Sequence, residues 1–530
     1  MPELKQVFEG AIGINIGATS CSVAVFQNEK VELIPNEHGY LFTPTYIYFS
    51  DDHVLFGEEA RANALSDPVH AVNAFTRFIG KSYNDPKLAK DLEKCTFAVT
   101  RINQKPFFVS KLKTETRKYS FEEITALMMQ YLKRIAEAYL GKIVRKAVVT
   151  LSTKYSTSTR QAITDAGASI NLEILRLVSQ PAAAAIQYTL HAKLQTEEEW
   201  PFLVFALAGG CLTISVFSAE PELVQVVATT LDQHLGSQEY DTLLVNHFCE
   251  ELKQKHRIDI VTGNPQALIR LRSACEYAKR CLSTANEAIV RVPNLIQGFN
   301  FESSISRPEF ELLALPLVNS SIDHIKKVLA MAKMDKSELR DVVFVGGSCK
   351  IPLVRNSVIQ FFENPRLNFS MLPDAAVVGG AAVQAAILTG HFKNILLIDA
   401  LPMTLGLETL GGSMTHIIPR NSTIPIKHNL SLTTVEDNQT SAQIWVYEGE
   451  HLMAKDNTLL CEFEFEGIEK VKKGEAKVNV EFAVDANGNL TVTVTDEHTG
   501  EIKVVDLQRD GLYLPEVKPS EHKALRLRVK

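Results

Sequence analysis

Through the first 230 residues, short apolar runs alternate with longer stretches whose apolar positions recur every three or four residues. Phe121–Leu140 carries the helical period, residues 147–151 form a β-branched run, and 156–168 reads as a helix opened by Ser and Thr. Alternation of this kind predicts an α/β architecture. The stretch 250–286 reads as helical and heavily charged. Beyond Ile395 the texture changes. Residues 404–507 form a chain of strands separated by turn signals at Gly411-Gly412, Asp437-Asn438, Asn487-Gly488 and Thr499-Gly500, which predicts an all-β unit. At the junction, Ile395-Leu396-Leu397-Ile398-Asp399 reads equally as a buried strand and as an apolar linker that docks in one conformational state.

Composition narrows the field. A chain of 530 residues exceeds one core and points to about three or four domains. Its 45% apolar and 22% charged residues are those of a globular protein, and a net charge of −7 disfavours nucleic acid or an anionic membrane as the partner. No transmembrane run or signal peptide is read, and eight scattered cysteines without a CxxC pair fit a reduced, cytoplasmic setting without a metal site.

Two segments resemble each other. Gly13–Ser20 leads into a strand at 21–26, and Phe205–Leu212 leads into one at 213–217. Each is a strand, a turn of small residues and a strand, which lets backbone N–H groups approach a polyphosphate. Two such turns, one in each half, would grip a nucleotide from both sides. A third turn follows the buried strand ending at Val345-Gly346-Gly347-Ser348. Asp374 and the small-residue helix around Gly379-Gly380-Ala381-Ala382 come next.

These elements, in this order, resemble the 70-kDa heat-shock protein (DnaK-type) chaperones over roughly residues 12–505. Ile135–Gly141, Arg160-Gln161-Ala162, Pro181–Ile186, Leu271–Glu276 and Val446–Glu450 extend the match. The resemblance implies an actin-like α/β nucleotide domain of two lobes at 10–392, a linker at 393–403, a β-sandwich for peptides at 404–507 and a short tail at 508–530. It implies ATP or ADP as ligand, held by Gly17, Ala18 and Thr19, Gly209 and Gly210, and an adenosine pocket of Glu276, Lys279, Arg280, Ser283, Gly346, Gly347, Ser348 and Asp374. The spacing of 276, 279, 280 and 283 suits one helix face.

The phosphate side departs from the family. Asn15 stands for an aspartate, Thr76 for a lysine, Gln180 for a glutamate, and Ala206, Ala208, Cys211 and Thr213 for residues of a conserved loop. Ser152 replaces the proline of the interdomain switch, and Ser237 replaces a glycine. Mg²⁺ is doubtful because its ordered waters need carboxylates. Loss of one charge-stabilising or acid–base group costs about 10²–10⁴ in rate. Weak or absent hydrolysis is expected, with no confident catalytic residue.

In the β-unit, Leu407, Thr409, Leu410, Leu432, Val435, Ala442 and Ile444 match the family's peptide cleft, Leu410 and Val435 as its arch. After Gly500 only 30 residues remain, too few for a helical lid, and 510–530 can form at most a short helix. The expected ligands are unfolded or extended hydrophobic peptides. Arg176 and Leu396–Asp399 match positions that contact J-domain co-chaperones, although Ala400 departs from the pattern. Two readings compete: a peptide-binding chaperone with coupled domains, and a non-hydrolysing scaffold working with a J-protein, the ribosome or another chaperone. An actin-fold sugar kinase is disfavoured, because it has no use for the β-sandwich.

Overall fold

The computed structural model describes residues 6–529 except 94, 113–114, 152–156, 193–197, 262–263, 364–366, 369–371, 393–394 and 508–526. Ser152, the start of the linker and most of the tail therefore lie outside the described residues. The chain divides into two compact units, with the main division between Leu397 and Ile398.

The first unit is built on two sheets of like topology. One orders Glu173–Ser179, Lys146–Leu151, Ile12–Ile16, Ser20–Gln27 and Lys30–Ile34. Its first three strands run parallel, and the hairpin at Gly17 turns the fourth antiparallel. The other orders Leu367–Asn368, Asp341–Val345, Trp200–Leu207 and Leu212–Glu220, again parallel up to an antiparallel hairpin. The sequence self-similarity is thus a repeat of strand topology. Parallel strands buried on both faces explain the unbroken apolar run at 202–207 and the buried strand 147–151, where Thr150 alone is polar.

Helices fill the space beside these sheets. Phe121–Leu140 begins with a reciprocal capping box between Ser120 and Glu123, and Gly141 ends it at φ 62°. It buries Ile124, Met128 and Leu132 along one stripe. Ala376–Leu388 packs so closely that a Cβ on Gly380 would strike the Ala183 carbonyl of Gln180–Ala192, and one on Gly13 would strike the Ala382 amide. This is the physical reason for the small-residue run in that helix.

The charged stretch 250–286 is not one helix. Ser237–Glu251 runs into a π-turn at Leu252–His256, and Arg257 turns left-handed at φ 59°. A new helix, Pro265–Leu282, starts where the Asn264 side chain accepts from the Ala267 amide. Pro265 suits a first helical position and cannot sit inside a continuing helix.

The second unit is two antiparallel sheets. One orders Ser413–Ile418, Leu405–Thr409, Ser441–Glu448 and Thr458–Glu466; the other orders Ile502–Asp506, Leu490–Asp496, Val478–Val484, Ile426–Thr434 and Leu527–Val529. Alternate residues such as Val480, Phe482, Val492 and Val494 face a shared core with Leu407, Ile444 and Phe465. Gly411, Gly412, Asn438, Gly488 and Gly500 all take positive φ, matching the predicted turns. The expected short helix within 510–530 is corrected at Leu527–Val529, which is a strand. All eight cysteines are free, and burial pushes the Cys21 and Cys349 thiols up to about 12.

Candidate functional site

The two glycine hairpins of the first unit meet. A Cβ on Gly209 would lie 2.6 Å from Thr19 Cγ2, and one on Gly210 would lie 3.0 Å from Ala18 Cβ. Gly17 closes its own turn by donating its amide to the Ser20 carbonyl, and the Ala208 amide donates to Cys211 in the second turn. The third turn joins them. Gly346 takes φ 91° against the Leu207 carbonyl, where a Cβ would clash, and Gly347 abuts Asp374 Oδ1. Ser348 is buried beside it.

The helix Pro265–Leu282 is tied to the same centre through Ser237. The Ser237 and Gln238 amides donate to the Ala208 and Gly209 carbonyls, while Lys279 Nζ donates to the Ser237 hydroxyl and carbonyl. Lys279 also pairs with Asp241 at 2.7 Å, both being almost fully buried. Burial raises the Asp241 carboxyl above its ordinary range, and the Lys279 charge opposes that rise. Glu276 pairs with Arg280 one turn along, and Ser283 Oγ reaches the Lys279 carbonyl. Glu276, Lys279 and Arg280 lie on this helix with Ser283 at its end, but Lys279 is held by Asp241 and Ser237, whereas Arg280 is exposed.

Three partners were not legible in the sequence. Arg61 bonds Glu276 at 2.9 Å from a helix more than 200 residues away. Lys350 pairs with Asp374 at 2.6 Å. Arg77, next to Thr76, donates to the Gly210 carbonyl at 3.1 Å, to Gln238 and to Asp91. Only its position beside the altered lysine site hinted at it.

Two of the substituted positions, 15 and 180, are bonded through neutral side chains. Asn15 Oδ1 accepts from Thr150 Oγ1 at 2.8 Å and from Gln180 Nε2 at 3.1 Å. An amide oxygen has two lone pairs, so both are used. Ala206 and Thr213 are buried opposite each other across the second hairpin. Cys211 sits half-buried in its turn, and Thr76 is buried within the turn Phe75–Arg77. None of these side chains carries a fixed negative charge.

In the second unit, Leu407, Leu432, Ala442 and Ile444 are core residues. Thr409 is buried, with its hydroxyl bonded to Ser413 and Thr415. Leu410 is 55% exposed and Val435 is half-buried, so these two stand at the rim. In the first unit, Arg176 donates to the Leu397 carbonyl at 3.3 Å, and the Leu396 amide donates to Glu222. Leu396–Ala400 is a β-strand with Leu397 buried and Leu396 exposed, so the strand reading of the apolar run holds.

The family profile described as Hsp70 protein matches residues 11–518. The chain is 40% identical over 506 residues to heat shock cognate 70 kDa protein 3 of Dictyostelium discoideum, covering 94% of this chain and 80% of that one. It is 40% identical over 505 residues to a heat shock 70 kDa protein of Neurospora crassa, covering 94% and 78%. A ribosome-associated molecular chaperone of Saccharomyces cerevisiae is 40% identical over 502 residues, covering 94% and 81%.

Proposed function

This chain belongs to the Hsp70 family, and on that premise we propose that it is a cytoplasmic chaperone that binds ATP or ADP in residues 10–392, binds extended apolar peptides in 404–507, and hydrolyses ATP weakly or not at all. The carrying observation is the neutral trio Asn15, Thr150 and Gln180. Phosphoryl transfer relies on positioned cations and on a group that orients the attacking water. Asn15 Oδ1 has no lone pair left to hold a metal-bound water, and Gln180 is a poor base whose amide is already turned toward Asn15. Ala206 and Thr213 supply no anion. The residues therefore do not fit a hydrated Mg²⁺ held by carboxylates. The converging turns at Gly17–Thr19 and Gly209-Gly210 still offer a backbone cradle for phosphates, with Glu276, Arg280, Ser283 and Asp374 beside it for the nucleoside.

Single-turnover conversion of labelled ATP, with retained nucleotide and product recorded together, tests this reading. Retained ATP without product is the expected result. Turnover at the ordinary rate of the family's ATPases would overturn it.

A second reading, a non-hydrolysing partner of a J-protein at the ribosome, is favoured by the 40% identity to the yeast chaperone named as ribosome-associated. The Arg176 contact to the linker carbonyl would place a J-domain surface against the linker strand. Co-sedimentation with ribosomes in the absence of nucleotide separates the two.

A further inference from the structure

Leu527–Val529 runs antiparallel to Ile426–Thr434, with Val529 opposite Leu432, Arg528 opposite Thr433 and Leu527 opposite Thr434. It forms the outer strand of the five-stranded sheet and also lies beside Leu405–Thr409. Those two strands carry Leu407, Thr409 and Leu432, and Val435 follows directly. The added strand therefore runs where the peptide-cleft positions converge.

Ile426–Leu432 is already paired with Val478–Val484, and that register ends at Leu432. Thr433 and Thr434 lie beyond it and pair instead with Arg528 and Leu527, and with that strand in place they are 2% and 1% exposed. Backbone groups at such an edge invite an added strand. The amino-acid pattern of the segment suits that role: Leu525, Leu527 and Val529 alternate with Arg526, Arg528 and Lys530, a two-residue period. Charge is complementary as well. Residues 404–507 contain seventeen Asp and Glu against eight Lys and Arg, whereas 525–530 contain three cations and no acid.

We propose that Leu527–Val529 is an internal ligand of the peptide groove, added by strand augmentation, and that an incoming peptide must displace it. This rests on the reading of 404–507 as a peptide receptor. It also fixes the direction of that ligand: an extended segment running antiparallel to Ile426–Thr434. A segment held on the same chain as its site has an effective concentration of about 1 mM. A segment of about 100 µM intrinsic affinity would then fill the groove in roughly nine molecules of ten and raise the apparent Kd of a competitor about tenfold.

The test titrates a labelled peptide of the sequence ALRLRVK, and separately a neutral Leu-rich peptide, into three proteins. These are the full chain, the chain ended after Asp510, and full-length Arg528→Pro, which removes one backbone donor from the added strand. Both altered proteins should bind both peptides about tenfold tighter than the full chain, and added salt should narrow that gap. Hydrogen exchange on the intact chain should show slowed amides within Leu527–Val529. Equal affinities across the three proteins, or fast exchange at those amides, would overturn the proposal while peptide binding itself stood. Absence of binding of either peptide to any of the three, with exchange still slowed, would instead overturn the peptide-receptor reading and the occlusion with it.

Discussion

Gln180 Nε2 donates to Asn15 Oδ1 across 3.1 Å, joining the start of a helix to a strand 165 residues earlier in the chain. With Thr150 as second donor, the amide oxygen is saturated. Two carboxylates in these places would repel one another unless a cation sat near them, whereas two amides bond directly. Asn15 and Gln180 are therefore mutually compatible as neutral hydrogen-bonding partners.

Nucleotide affinity should be nearly indifferent to Mg²⁺. Addition of EDTA is expected to change the ATP Kd of the parent less than about twofold, while Asn15→Asp should acquire a metal dependence of about tenfold. Calorimetric titration with and without EDTA checks both, and loss of ATP binding by the parent in EDTA would refute the argument from Asn15.

Lys279→Ala should destabilise the first unit by about 3–5 kcal/mol, because it strands Asp241 in a buried site. The paired change Lys279→Met with Asp241→Leu should cost much less, since it removes both charges. Denaturant unfolding of the three proteins measures the difference.

Gly380→Ala should cost at least the ~1–3 kcal/mol of overpacking, since its Cβ meets backbone at the Ala183 carbonyl and not a yielding side chain. Thermal unfolding monitored by nucleotide retention reads this directly.

Acid should loosen the β-unit through Asp496. Burial raises this carboxyl, but the amides of Thr499, Glu469 and His498 outweigh burial and hold it below its ordinary value. Its contribution is complete above the unfolded pKa of about 3.9 and is lost as pH falls through the lower folded value. Asp496→Asn should therefore be less stable at pH 7 and show a shallower loss of stability below about pH 4, as followed by tryptophan fluorescence of Trp445.

The α/β character of the first unit, the strand-rich second unit and its turns were all legible, because hydrophobic period and glycine at positive φ are local signals. The break between Glu251 and Pro265 was missed where charge density masked a Gly-Asn-Pro stop. Of the site, the glycine turns and the helix carrying Glu276, Lys279 and Arg280 could be read, whereas Arg61 as partner of Glu276, Asp241 of Lys279 and Lys350 of Asp374 could not.

By itself the sequence determined which residues were present and which charges were missing: asparagine at 15, glutamine at 180, alanine at 206 and a basic alternating segment at 525–530. Only the tertiary structure decided that Asn15 spends both lone pairs on Thr150 and Gln180, that Lys279 is committed to Asp241, and that Leu527–Val529 lies along Leu432–Thr434. The reason is physical. Composition and period report what a residue prefers against solvent, whereas hydrogen bonds and strand pairing depend on which distant partner the folded chain brings within about 3 Å.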